Sequence, residues 1–311
     1  MNHSALKYRV FFVTTLASLL MGAFLFNASL ARASGKFLVG HTGGNIVSAL
    51  YRATERPEWS EKFEAVKFGS TADVGYALIS GTIDAGFVDV TRVKYFANLP
   101  GFEKLTGVGR ITFPYGATLV LRKGLNLRIK ELAGRKIAAS APECVLLGAF
   151  KDDAKRLNAD ISDVTFVYMP FDAMIPALEA REVDGAVIKG ATAAVAVSQG
   201  HSILYQNWDV QPGDECCPAI IDQAVQVLLA RRDAKEAGDA LVKSLLEVQA
   251  DGPEILRKSV AEHTTIPLSI LESQPVPEFD TADDSLVVLL SEFYDEEGNK
   301  LDLDEDAEDL K

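Results

Sequence analysis

The chain has 311 residues, 48% of them hydrophobic, and a formal net charge of −13. That apolar fraction supports real cores and excludes an intrinsically disordered chain. The acidic balance argues against nucleic acid and anionic membrane surfaces as partners.

Lys7 and Arg9 precede an uncharged run from Val10 to Phe26, and Ala31-Arg32-Ala33 follows it. This three-part pattern predicts a secretory signal peptide over residues 1–33, cleaved after about Ala33. The run, about 17 residues, is at the short limit for a spanning helix. Cleavage removes Lys7, Arg9 and Arg32 and takes the charge from −13 to −16. The mature protein is read as soluble and periplasmic.

Short apolar runs then alternate with helical patterns. Phe37-Leu38-Val39 reads as a strand that breaks at the loop Gly40 to Gly44, with a helix from Asn45 to Thr54. Ala65 to Phe68 is a second strand, and Ser70 with Asp73 forms a capping-box-like start to the next helix. That helix ends in Ala77-Leu78-Ile79-Ser80-Gly81-Thr82-Ile83-Asp84, which Ala177-Leu178-Glu179-Ala180-Arg181-Glu182-Val183-Asp184 echoes one hundred residues later. Each copy is a helix end, a polar turn and an Asp before a buried strand. A single repetition at that spacing excludes solenoids and propellers and predicts two similar α/β lobes. Asp84 and Asp184 read as turn and strand-start determinants, because one asymmetric ligand rarely needs identical groups from both sides.

Thr118 to Leu121 reads as an extended run that closes the first stretch of lobe one. A short helix at Ile129 to Leu132, a strand at Gly134 to Ala139, a strand at Val164 to Tyr168, a helix capped by Asp172 and a strand at Ala186 to Ile188 make up the second lobe. The loop Pro212 to Pro218 ends it. Ala224 to Leu229 is extended again, and helices follow over Ala234 to Ala250 and Pro253 to Glu262. The layout predicted is residues 34–121 and 222–290 for lobe one, 122–221 for lobe two, and an acidic, flexible tail at 291–311. From Glu292 onward there are ten acidic residues against two lysines. Ala307 stands where a calcium loop needs Gly, so the tail reads as a solvated end.

Leu132-Ala133-Gly134-Arg135-Lys136-Ile137-Ala138, Val120-Leu121-Arg122, the paired repeat units, Ala240 to Glu247 and Gly252 to Leu256 together resemble periplasmic solute-binding proteins of ABC importers. The group is the nitrate/sulfonate/taurine-type receptors, which share their fold with thiamine-precursor binding proteins. The resemblance implies a type II binding-protein fold: two Rossmann-like lobes with mixed, mainly parallel sheets and a two-strand hinge. It also implies a monomeric, non-enzymatic receptor that needs no cofactor, takes a small molecule into the interlobe cleft and delivers it to an ABC-type permease in the inner membrane. Loops after the strands would face the cleft. They carry His41, Thr42, Gly43, Ser70, Thr71, Asp89, Phe113, Tyr115, Cys144, Met169, Lys189, Cys216 and Cys217 as ligand-binding candidates. Phe113, Tyr115, Tyr168 and Phe171 would supply an aromatic wall, although aromatics at strand ends commonly serve the core. His201 and His263 read as surface residues beside helix ends. Two departures from the family, Ala141-Pro142-Glu143-Cys144 and Lys189-Gly190-Ala191-Thr192, prevent nitrate or sulfonate specificity from being carried over.

The cysteines, Cys144, Cys216 and Cys217, are odd in number, which forbids complete internal pairing. A disulfide from Cys144 to one of the pair, or between the neighbours, ranks above a three-thiolate site for a soft metal or metalloid. The alternatives kept open are that thiol site, a TRAP-type receptor, and a pyrimidine synthase of thiamine biosynthesis on the same fold.

Overall fold

Why the chain builds two sheets is visible in its buried runs. The computed structural model describes residues 35–113, 116–142, 144–206 and 224–292. In strand β1 (Phe37–His41) every residue is buried, with Phe37 and Val39 in one apolar cluster and Leu38 in another. A strand covered on both faces needs continuous apolar sequence rather than alternation. The second sheet repeats the pattern, with Leu119, Ile137 and Val187 on one side and Val120, Ala138 and Ile188 on the other.

The first sheet joins β1 to β2 (Phe63–Lys67), β3 (Ala85–Asp89), β4 (Leu105–Phe113), β10 (Ala224–Arg231) and β11 (Glu278–Thr281), in the order β11-β4-β10-β3-β1-β2. The second has β5 (Thr118–Leu121), β6 (Lys136–Ala139), β7 (Thr165–Tyr168), β8 (Gly185–Ile188) and β9 (Ser202–Gln206), in the order β7-β6-β8-β5-β9. Both are mixed: β1 runs parallel to β2 and β3, and β6 parallel to β7 and β8, while β10 and β5 lie antiparallel to their neighbours. Helices α1 (Ser48–Glu55), α2 (Thr71–Ile79), α3 (Val145–Arg156), α4 (Phe171–Glu179), α5 (Gly190–Ser198), α6 (Lys235–Gln249), α7 (Pro253–His263) and α8 (Asp284–Ser291) complete the two-lobed α/β fold expected.

Two expectations are corrected. Thr118–Leu121, assigned to the first lobe in sequence, pairs with β8 and β9 of the second sheet, so the chain crosses after Phe113. A short apolar run satisfies either sheet equally, and only pairing decides. Asp172 does not cap α4: the helix begins at Phe171, and the Asp172 carboxylate reaches Lys67 instead. Ser70 caps α2 as expected, accepting from the Asp73 N–H at 3.2 Å while its hydroxyl donates to the Asp73 carboxylate. The proposed signal peptide, Tyr115, Cys216, Cys217 and the acidic tail beyond Glu292 lie outside the described residues.

The repeat has one architectural job, done twice. Asp84 exchanges backbone hydrogen bonds with Leu38 and Arg231, and its carboxylate accepts the Leu38 N–H at 2.9 Å. Asp184 does the same with Lys136 and Arg122, accepting the Lys136 N–H at 3.2 Å. In the turn before each Asp, Gly81 has φ of 72° and Arg181 φ of 60°. Left-handed backbone costs a non-glycine residue free energy that glycine does not pay. Arg181→Gly is therefore expected to stabilise the protein by about 0.5–1 kcal/mol, read from urea midpoints at unchanged m-value.

Candidate functional site

The loops at the C-terminal strand ends of both lobes face one another. In the first lobe β1 ends on His41, whose Nδ1 accepts the Gly43 N–H at 3.0 Å. The imidazole proton of the neutral ring therefore sits on Nε2. Burial, then the neighbouring Lys67 and His263, lower the His41 pKa to about 3. Gly43 and Gly44 turn the loop at φ of 82° and 74°, backbone that favours glycine. His41 meets the Tyr51 ring edge-on at 5.5 Å, and Tyr51 stacks on His263 at 4.8 Å with 11° between planes. Burial pushes the Tyr51 phenol up to about 12.

The next loops are tied together through Asp89, which is 8% exposed. One of its oxygens accepts the Thr71 hydroxyl at 2.5 Å and the other the Gln226 side-chain N–H at 3.0 Å. One carboxylate thus joins the start of α2, the end of β3 and the returning strand β10. Thr91 is buried beside it in sequence, its hydroxyl without a hydrogen-bond partner among the described residues.

From the second lobe come Cys144 before α3, Met169 after β7, Phe171 opening α4 and Lys189 preceding α5. Cys144 is buried, with no disulfide partner among the described residues, and Met169 packs against the second-lobe core. Desolvation lowers the Lys189 ammonium pKa, opposed by the charge of Asp89 across the cleft. Its Nζ lies 5.8 Å from the Phe171 ring centroid. Lys67 and Asp172 bridge the lobes at 2.7 Å, with side chains 54% and 63% exposed. A pair that open to water contributes only about 0–1 kcal/mol. Apolar contact also joins the lobes, since Ala191 of α5 is buried in the same cluster as Ile266 and Leu271.

Between these walls lies a cavity of about 700 Å³, lined by Thr42, Gly43, Tyr51 and His263 from one lobe and Phe171 and Lys189 from the other, among others. Of the sequence candidates, Thr42, Gly43, Phe171 and Lys189 reach this cavity. Thr71, Asp89 and Gln226 form the bonded group at the strand ends, Ser70 pairs with Asp73, and His41 is buried behind Gly43. Cys144 and Met169 do not line it. Phe113 ends β4. Among the described residues no group of three His, Cys, Asp or Glu side chains is placed to hold a metal ion. His201, read in sequence as a surface residue, is 4% exposed: Nδ1 accepts the Lys123 N–H at 3.0 Å and Nε2 meets Glu179 at 2.9 Å.

Sequence reasoning missed Tyr51, Lys67 and His263. Tyr51 and His263 sit on helices and carry no local signal. Lys67 carried one, a charged residue at the last position of a strand, next to the strand-end loop.

No protein-family model matches the chain, and no curated protein matches it. Solved structures do. The alkanesulfonate-binding protein SsuA from Xanthomonas axonopodis pv. citri, bound to MOPS, is 16% identical, with TM-score 0.61 over 82% of this chain and 89% of that one. The ligand-binding component of an ABC-type import system from Staphylococcus aureus, with zinc bound, is 15% identical, with TM-score 0.59 over 82% and 90%. The nitrate-binding protein NrtA from Synechocystis PCC 6803 is 14% identical, with TM-score 0.56 over 81% and 74%. At these identities the likeness establishes the shared two-lobed fold. Among the described residues no helix is long and apolar enough to cross a membrane.

Proposed function

We propose that the protein is an extracytoplasmic receptor that captures a small molecule between its lobes and delivers it to an ABC-type permease. The observation that carries this reading is the interlobe cavity, about 700 Å³ and walled by residues of both lobes. That volume suits a small organic molecule, and a ligand touching both walls favours the closed arrangement of two hinged bodies. The export signal read in residues 1–33 and the transport roles of the structural neighbours support it. The role is one of binding rather than catalysis, and the working form is a monomer.

Native mass spectrometry of protein purified from its own periplasm tests the reading. A bound organic mass of small-molecule size is expected, and stripping it is expected to enlarge the radius of gyration in X-ray scattering. Phe171→Ala is expected to cut retention of that mass at least about tenfold, since it removes an aromatic wall of the cavity. Protein that carries no mass, and whose scattering is unchanged by its own periplasmic extract, is not such a receptor.

A further inference from the structure

The charge on the cavity wall is not arranged for an anion. Two features that would hold one are already satisfied from within. The Gly43 N–H of the first loop donates to His41, and Asp172 sits in the first turn of α4, where an anionic ligand would sit. Both wall cations are engaged as well. Lys67 is bound to Asp172 at 2.7 Å, and Lys189 is faced by Asp89.

What remains is carboxylate. Glu179 and Glu262 both line the cavity. Glu179 meets the buried His201, and neither acid has a Lys or Arg partner among the described residues. Beside them the wall is aromatic and aliphatic. Tyr51 and His263 are stacked in parallel at 4.8 Å, Phe171 faces in from the other lobe, and Ile46, Ile175, Val195 and Ile266 fill the space between. Flat rings gain from stacking on such a pair, and cations gain further from the ring faces.

Resting on the receptor reading above, we propose that the ligand class is a cationic aromatic amine, its ring against Tyr51 and His263 and its nitrogen toward Glu262 and Glu179. This class is opposite in charge to the sulfonate and nitrate named for the structural neighbours.

Isothermal titration of stripped mature protein with a matched pair decides it: tryptamine and indole-3-propionate share a ring and differ in charge, and sodium nitrate serves as the inorganic probe. Tryptamine is expected to bind at least about tenfold more tightly than indole-3-propionate. Glu262→Gln, an exposed change at a helix end, is expected to weaken tryptamine about threefold or more and to leave indole-3-propionate no weaker. Phe171→Leu is expected to weaken both. Tighter binding of indole-3-propionate or nitrate overturns the class and leaves the receptor standing. Binding of none of the three also overturns the class, and the receptor is then judged by the mass the periplasmic protein carries. Equal binding of tryptamine by wild type and Glu262→Gln removes the carboxylates from the recognition.

Discussion

Between pH 6.5 and pH 4.5 the folded protein is expected to lose about 1.4 kcal/mol of stability per pH unit through His41 alone. The folded His41 resists protonation until about pH 3, whereas the unfolded residue takes its proton near 6.5. Throughout that window the unfolded chain binds the extra proton, so stability falls as the pH falls. The cause is geometric. Burial penalises the charge, Lys67 and His263 repel it, and a doubly protonated ring would turn a second donor against the Gly43 N–H. Urea unfolding of wild type and His41→Asn at pH 7, 5.5 and 4.5 measures it. Carboxylates whose pKa is lowered, such as Asp251 and Asp284, give both proteins a loss of the same sign, so the readout is the difference. Asn accepts the Gly43 N–H without titrating, and the variant's curve is expected to be flatter. Parallel curves would show that His41 is protonated in the fold.

Much of the scaffold was legible because its signals are local. Ser70 announces a helix with its own hydroxyl, and the helix-turn-Asp unit announces a lobe twice. What the sequence concealed depends on distant partners. β4 was not expected, because Gly107 and Gly109 weaken its strand character. Those glycines are present because a Cβ at Gly107 would come within 2.4 Å of Val287 and one at Gly109 within 2.5 Å of Phe279. The residues that spoil the pattern admit the C-terminal elements. The site divides in the same way. Strand-end loops could be named from the fold, but the Tyr51–His263 stack joins side chains 212 positions apart in sequence, and no spacing rule finds such a pair. His201 looked like a surface residue because nothing near it in sequence shows Lys123 and Glu179 closing over both ring nitrogens.

Asp84→Ala is expected to destabilise the protein by about 1.5–3 kcal/mol and Asp184→Ala, whose Lys136 N–H partner is exposed, by about 1 kcal/mol, with ligand affinity unchanged once the protein is folded. Each change orphans a backbone N–H, of Leu38 or Lys136, and Asp184→Ala also releases Arg122, whose Nε lies 3.2 Å from the carboxylate. Asn variants keep an acceptor and are expected to cost less than half as much in urea titrations. Equal costs for Ala and Asn would refute the capping role. The strand orders explain why the same residue is needed twice. β10-β3-β1 in one sheet corresponds to β5-β8-β6 in the other, with Asp84 entering β3 and Asp184 entering β8. β10 and β5 are the strands by which the chain arrives in each lobe after crossing. The Arg231 N–H on Asp84 and the Arg122 N–H on Asp184, both at 2.9 Å, hold each arriving strand to the lobe it enters. The aspartates thus belong to the walls of the cleft rather than to its contents: their carboxylates tie β1 and β6 to the turns that lead into β3 and β8.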